Sequence, residues 1–194
     1  MIVDSDFIWL HFPKCAGTAT ERALRRLTPD AKFDSGDRKQ HDGVRERQTV
    51  DPSFHVGSRK IICGFRRLPH WMLSRVHFEA ARGARYVATR QMLVAGQFFR
   101  ETGEVRDADY NARRYSVPHV DAWVRVECIA EDLAKALEID VQQVQSALQR
   151  QNQTPKYLKN LEFWFTPDEL RSLYHSNPAW SAIERQVYGS LLID

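Results

Sequence analysis

Cysteine is scarce: Cys15, Cys63 and Cys128 are the only three in 194 residues. They are far apart and odd in number, so the sequence offers no secreted disulfide framework and no CxxC or Cys/His zinc spacing. Three small buried hydrophobes are expected instead, and no metal. Long apolar runs are missing too. The run over residues 7–12 is too short for a signal h-region or a membrane span, and the opening MIVDSD has no basic n-region. A cytoplasmic protein with no membrane span is expected, unless a targeting segment precedes the sequence. There is no internal repeat, no low-complexity tract and no long run of like charge. Lys and Arg number 28 against 25 Asp and Glu, a net charge of +3. That mild excess suits a small anionic ligand, whereas nucleic acid calls for a basic stripe that the chain lacks.

What is present is ordinary globular composition, 43% hydrophobic and 27% charged. The length suits one domain over residues 1–194, burying about 70% of its unfolded surface. Residues 7–12 (FIWLHF), ended by Pro13, read as a buried parallel strand. Residues 18–27 have helical spacing and stop before Pro29. The polar stretch 30–59 reads mostly as loop, with one short helix. Residues 60–65 (KIICGF) read as a second buried strand. Helices are expected over 69–83 and 84–102, each closing near a glycine. A third strand follows at 120–126, then helices at 129–137 and 141–148. Thr166-Pro167-Asp168-Glu169 is a capping box with proline at the first helical position. A last helix runs through Trp180 and Val187 and stops at Gly189. Strands alternating with helices predict an α/β fold with a small parallel sheet covered by helices on both faces, and a helix-rich C-terminal half.

In such a sheet ligands bind at the carboxyl ends of the strands. The first strand leads into Pro13-Lys14-Cys15-Ala16-Gly17-Thr18-Ala19-Thr20. Small residues let backbone N–H groups close around a phosphate, and a helix opening at Thr18 adds its dipole. Lys14 contributes a charge, and Thr18 and Thr20 contribute hydroxyls. The ordinary nucleotide-triphosphate loop places its lysine directly after a glycine. Here Lys14 precedes Gly17 by three.

The pattern P-K-x-x-G-T after a hydrophobic strand resembles the 5′-phosphosulfate loop of the sulfotransferases that use 3′-phosphoadenosine 5′-phosphosulfate (PAPS). In that family a later strand ends in an arginine, followed eight residues on by a serine. Arg66 and Ser74 match that pair, which the resemblance assigns to the 3′-phosphate. A guanidinium fork and a helix hydroxyl are suited to it. The chain departs from the usual Arg-Asp-Pro, with Arg67 in place of the acid and Pro69 one position late. Arg125-x-Glu127 and Asp132-Leu133 are similar to a structural strand-then-helix segment of the family. Residues 149–156 (QRQNQTPK) resemble its nucleotide-closing loop, where Arg150 and Lys156 would touch phosphates. The nearest branch is that of the bacterial and carbohydrate O-sulfotransferases.

The resemblance implies a P-loop-like fold in three layers and a sulfotransferase in which Lys14 stabilises the leaving oxygen. Its cofactor-binding set would be Lys14, Cys15, Ala16, Gly17, Thr18, Ala19, Thr20, Arg66, Ser74, Arg150 and Lys156. The donor would be PAPS, the product adenosine 3′,5′-bisphosphate, and the partner a carbohydrate or small-molecule hydroxyl. No metal, nucleic acid or membrane partner is implied, and the oligomeric state is open. The family's base lies between the two donor motifs, where Asp34, Asp37, His41, Asp42, Glu46, Asp51 and His55 stand. His41 is favoured because the resemblance includes a related branch with a histidine in a similar Lys/Arg-rich segment before the second strand, and an imidazole also has an ordinary pKa near 6.5. His70, Trp71 and His77 are expected to pack. Two other readings remain at this point: a P-loop-type small-molecule kinase, and a non-catalytic nucleotide-binding protein of the same fold.

Overall fold

A computed structural model describes residues 1–33, 39–148 and 157–194, with Lys39 described by its backbone alone. The chain forms two compact units, Met1–Phe65 with Arg114–Asn152, and Arg66–Arg113 with Gln153–Asp194.

The first unit is built on a five-stranded sheet. Its strands are β1 (Ile2–Val3), β2 (Phe7–Leu10), β3 (Lys32–Phe33), β4 (Lys60–Phe65) and β7 (Ala122–Arg125), in spatial order β3-β1-β2-β4-β7. β2, β4 and β7 are parallel, pairing Trp9 with Ile62 and Gly64 with Val124. β1 runs antiparallel to both β2 and β3. The sheet is therefore mixed, not the parallel one expected. The two antiparallel strands have two residues each, too few to register as a hydrophobic period. β2 and β4 read correctly because burial on both faces makes them continuous apolar runs, while β7 is mostly half-buried.

One sheet face carries Phe7, Trp9, Ile62 and Val124. Against it pack α1 (Gly17–Leu27), α6 (Ile129–Leu137) and α7 (Val141–Ala147), through Leu24, Leu133, Ala134, Ala136 and Val144. On the other face Phe65 meets Phe12 at 6.1 Å and Trp123 at 5.2 Å, both edge to face. At the end of β7 the Asp132 carboxylate accepts from the Arg125 N–H at 2.8 Å and from its guanidinium at 2.8 and 2.7 Å. Among the described residues of the polar stretch, β3, a 3-10 turn (Lys39–His41) and α2 (Val44–Val50) are the ordered elements.

The second unit is mostly helical: α3 (Leu68–Ala81), α4 (Arg90–Val94), most of α5 (Ala108–Tyr115), α8 (Leu161–Trp164), α9 (Pro167–His175) and α10 (Pro178–Tyr188), with a hairpin of β5 (Gln97–Phe99) and β6 (Val105–Asp107). The helix expected over 84–102 is absent. Only Arg90–Val94 is helical, and Gly96, at φ 69°, turns the chain into β5. A side chain at that φ is strained, and a Cβ there would lie 2.1 Å from Asn177 Nδ2. Asn177 also accepts at Oδ1 from the Ala108 N–H at 3.1 Å, while Asp109 accepts from the Ala179 and Trp180 N–H groups at 2.9 and 2.7 Å. α5 and α10 thus cap each other's starts. Trp71 and Trp180, both fully buried, meet at 4.7 Å in this core.

Candidate functional site

β2 occupies the middle of its sheet, and the chain leaving its carboxyl end makes the loop expected to bind a phosphate. Phe12 anchors the exit by stacking on Tyr115 at 4.6 Å. Next come two non-glycine residues in the left-handed region, Lys14 at φ 65° and Ala16 at φ 58°. Each costs of order 1 kcal/mol or more relative to ordinary backbone. Such strain persists where the surrounding structure imposes it. Here Gly64 on β4 takes part: a Cβ at that position would lie 2.9 Å from the Cys15 carbonyl oxygen. The loop closes onto β4 because residue 64 has no side chain.

This backbone path decides which N–H groups remain for a ligand. The Cys15 N–H donates to the Phe12 carbonyl at 3.3 Å, and those of Ala19 and Thr20 to the Ala16 carbonyl at 3.0 and 3.1 Å. The N–H groups of Ala16, Gly17 and Thr18 meet no acceptor among the described residues. No side chain caps α1, and its first turn carries no acid, while Arg25 and Arg26 sit in its last turn. An eleven-residue helix thus directs the positive end of its dipole through three unengaged donors. Gly17 and Cys15 are buried, and Lys14, Ala16, Thr18 and Ala19 are half-buried. Thr20 is buried too, and its hydroxyl donates back to the Ala16 carbonyl at 3.3 Å.

His41 is brought to this loop by a residue that sequence reasoning passed over. His11, the last polar residue before the loop, is 5% exposed. Its ring lies over Gly17, where a Cβ would fall 2.0 Å from Cδ2 and Nε2. Its Nδ1 faces Glu21 Oε2 on α1 at 3.4 Å. The His41 ring meets the His11 ring edge to face at 4.6 Å. His41 Nδ1 donates to the His11 carbonyl at 3.0 Å. Because a carbonyl only accepts, Nδ1 carries the proton and Nε2 the lone pair. The Tyr115 hydroxyl donates to the His41 carbonyl at 2.5 Å.

Burial sets the electrostatics here. Loss of water lowers the His41 pKa to about 4, with repulsion from His11 as the next cause. The expected value near 6.5 is therefore corrected: the imidazole is neutral across the physiological range. Glu21 moves to about 2, chiefly through its contact with His11 and despite its own desolvation, with Arg25 at 2.9 Å adding to the effect.

The rival bases are placed differently. Burial raises Asp42, which lies 3.7 Å from Arg47. Glu46 accepts from the Gly43 N–H at 2.8 Å and pairs with Arg114 at 2.6 Å. Asp51 accepts from Ser53, and His55 is exposed. Asp34 and Asp37 lie outside the described residues, as do Arg150 and Lys156.

In the second unit the two adjacent arginines separate. Arg67 donates to Glu184 at 3.2 Å and to the Ser190 carbonyl at 3.0 Å, and stacks over Tyr188 at 4.3 Å. Glu184 is wholly buried and also accepts from the Leu68 N–H and the Tyr174 hydroxyl, each at 2.8 Å. Burial raises its pKa. So Glu184, from α10, brings a carboxylate to the start of α3 beside Arg67. Arg66 is half-buried, and its guanidinium has no hydrogen-bond or ion-pair partner among the described residues. Its charge acts on Tyr157, whose phenol is raised by desolvation and drawn back by Arg66. Ser74 is buried in the second turn of α3. His77 packs, stacking on Tyr157 at 4.3 Å.

No family model, curated protein or solved structure matches this chain.

The site therefore rests on its own geometry. It comprises a strained loop whose N–H groups at Ala16, Gly17 and Thr18 have no acceptor among the described residues, and a histidine beside it whose lone pair is at Nε2. Cys15 and Cys63 are buried free thiols, and burial pushes Cys63 well up, which makes it inert. Among the described residues no three His, Cys, Asp or Glu side chains group as metal ligands would. No helix among them is long and apolar enough to cross a membrane. The signal for His11 was in the sequence: a single ionisable residue inside FIWLHF, the apolar run that leads to the loop.

Proposed function

We propose that the chain is a PAPS-dependent sulfotransferase of P-loop-like fold, moving a sulfuryl group to a carbohydrate or small-molecule hydroxyl. The observation that carries this reading is the loop after β2. Left-handed Lys14 and Ala16 leave the N–H groups of Ala16, Gly17 and Thr18 without acceptors among the described residues, at the start of an eleven-residue helix. Such a nest of donors suits the 5′-phosphosulfate, and the spacing P-K-x-x-G-T distinguishes it from a triphosphate loop. Arg66, which is not spent on Glu184 as Arg67 is, takes the 3′-phosphate together with Ser74.

The chemistry is an in-line displacement, close to phosphoryl transfer in its demands. The acceptor oxygen bonds to sulfur as the bond between sulfur and the bridging oxygen breaks. That electron pair stays on the 5′-phosphate of adenosine 3′,5′-bisphosphate, where Lys14 offsets the charge. The acceptor proton passes to Nε2 of His41, neutral at pH 7 because burial disfavours its charged form. Incubation with sulfur-labelled PAPS and a panel of hydroxyl acceptors tests the reading. Label transfer that Lys14→Ala abolishes supports it. Phosphoryl transfer from ATP with magnesium, or nucleotide binding without turnover on any acceptor, overturns it.

A further inference from the structure

Nothing in the proposed reaction requires a second histidine, yet His11 lies against Gly17 of the loop, Glu21 of α1 and His41. It is buried, its ring covers Gly17, its Nδ1 faces Glu21 at 3.4 Å, and its ring edge meets His41 at 4.6 Å. We propose that His11, held by Glu21, is a positioning residue: its ring is the spacer that sets the proposed base His41 against the donor loop, and its carbonyl selects the tautomer of His41. The inference rests on the sulfotransferase reading for its kinetic consequence, and on geometry alone for its structural one.

Three contacts make the case. First, residue 17 has no side chain, and only that absence admits the His11 ring, since a Cβ would stand 2.0 Å from it. The glycine that frees the loop backbone therefore also seats the spacer. Second, Glu21 lies one helical turn past Gly17 on the same helix, so the carboxylate and the loop move as one body with His11 between them. The Glu21 side chain is 19% exposed and shared with Arg25, which fixes it further. Third, His41 has little else to orient its ring. Its Nδ1 donates to the His11 carbonyl at 3.0 Å, and among the described residues its Nε2 has only the Gln40 amide, at 3.4 Å. The charged groups that act on it through space are His11 itself, Arg114 from α5 and the terminal ammonium, which donates to the Gln40 carbonyl. None of these charges sets the direction of the imidazole lone pair.

The expected effects are specific. Without the His11 ring the His41 ring turns, and a base misplaced by about 1 Å loses of order 10²-fold in kcat. Donor KM should change much less, because the N–H groups of the loop are backbone. His11→Phe keeps a ring of nearly the same size and should recover most of kcat, and it also covers the case in which His11→Ala does not fold. Glu21→Gln, which loosens the ring without removing it, should fall between.

The structural arm uses the nitrogen chemical shifts of the His41 imidazole at neutral pH, assigned by their disappearance in His41→Gln. In the unaltered protein and in His11→Phe they should report one Nδ1–H tautomer, and in His11→Ala, where the carbonyl stays but the unsupported His41 ring turns away from it, a mixture. An unchanged His41 tautomer in folded His11→Ala overturns the proposal. So does a loss of kcat in His11→Phe as large as in His11→Ala, which would make a ring nitrogen, not the ring, the working part. If no acceptor is sulfated by any protein, the proposed function falls while the nitrogen shifts still decide this inference.

Discussion

Arg66 and Arg67 are adjacent in sequence and predicted to fail in opposite ways. Arg67 is 19% exposed and paired with the fully buried Glu184, and it lies over Tyr188. Arg67→Ala leaves a buried carboxylate without its cation, at a cost of about 3 kcal/mol, the lower end for broken buried pairs because Arg67 is partly wet. In a chain of this size that corresponds to a fall in Tm of about 6–12 °C. Arg66 has no such partner. Its carbonyl accepts from Trp180 Nε1 at 3.2 Å, a contact that survives truncation of the side chain. Arg66→Ala should therefore change stability by no more than about 0.5 kcal/mol. If Arg66 binds the 3′-phosphate, the same change removes a charge-assisted bond of about 1.5–3 kcal/mol, or about 10- to 150-fold in affinity. That loss should appear for adenosine 3′,5′-bisphosphate and not for adenosine 5′-phosphate. Differential scanning calorimetry and titration of both nucleotides on each variant separate these outcomes. A stable Arg67→Ala protein refutes the reading of Glu184. Equal losses for the two nucleotides in Arg66→Ala refute the 3′-phosphate assignment, and a selective loss in folded Arg67→Ala transfers it to the other arginine.

Other perturbations follow from the same contacts. Gly64→Ala places a Cβ 2.9 Å from the Cys15 carbonyl oxygen, so thermal melts should show about 1–3 kcal/mol of destabilisation and titration a weakened nucleotide. An undisturbed loop would mean that β4 does not shape it. His41→Ala should cut kcat by about 10²–10⁴ with nucleotide affinity nearly unchanged, and a mild loss would move the base to Asp42 or another neighbour. His41 also sets an acid limit. Its folded pKa, about 4, is below the unfolded 6.5, so the unfolded state binds the extra proton. Stability is then complete above about pH 6.5 and lost as pH falls toward 4, by about 3 kcal/mol. Glu21, lowered to about 2, extends the loss from about pH 4.5 downward. Denaturant melts across that range should show the first phase vanish in His41→Gln; its survival would show that another group titrates there.

How much was legible depended on the range of the interactions. The strand at 60–65, the helix at 129–137 and the capping box at Thr166 are local patterns, and each appears where its residues put it. The loop backbone was legible as a type, since small residues after a buried strand permit it. Its left-handed Lys14 and Ala16 were not, because no glycine marks them. The false helix over 84–102 arose from apolar residues at helical intervals, and Gly96 and Asn177, 81 positions apart, decide otherwise. The pairing of Arg67 with Glu184, 117 residues away, could not be read from any local pattern. The contact of His11 with His41 likewise spans 30 residues, and the burial that lowers His41 is a property of the folded site alone.

The central claim is that the loop after β2 is a site for the 5′-phosphate of adenosine 3′,5′-bisphosphate, and isothermal titration of that nucleotide tests it most directly. The account predicts saturable binding without magnesium, stronger than for adenosine 5′-phosphate, and lost in a correctly folded Lys14→Ala protein. Absence of binding, or binding that Lys14→Ala leaves intact, would contradict it.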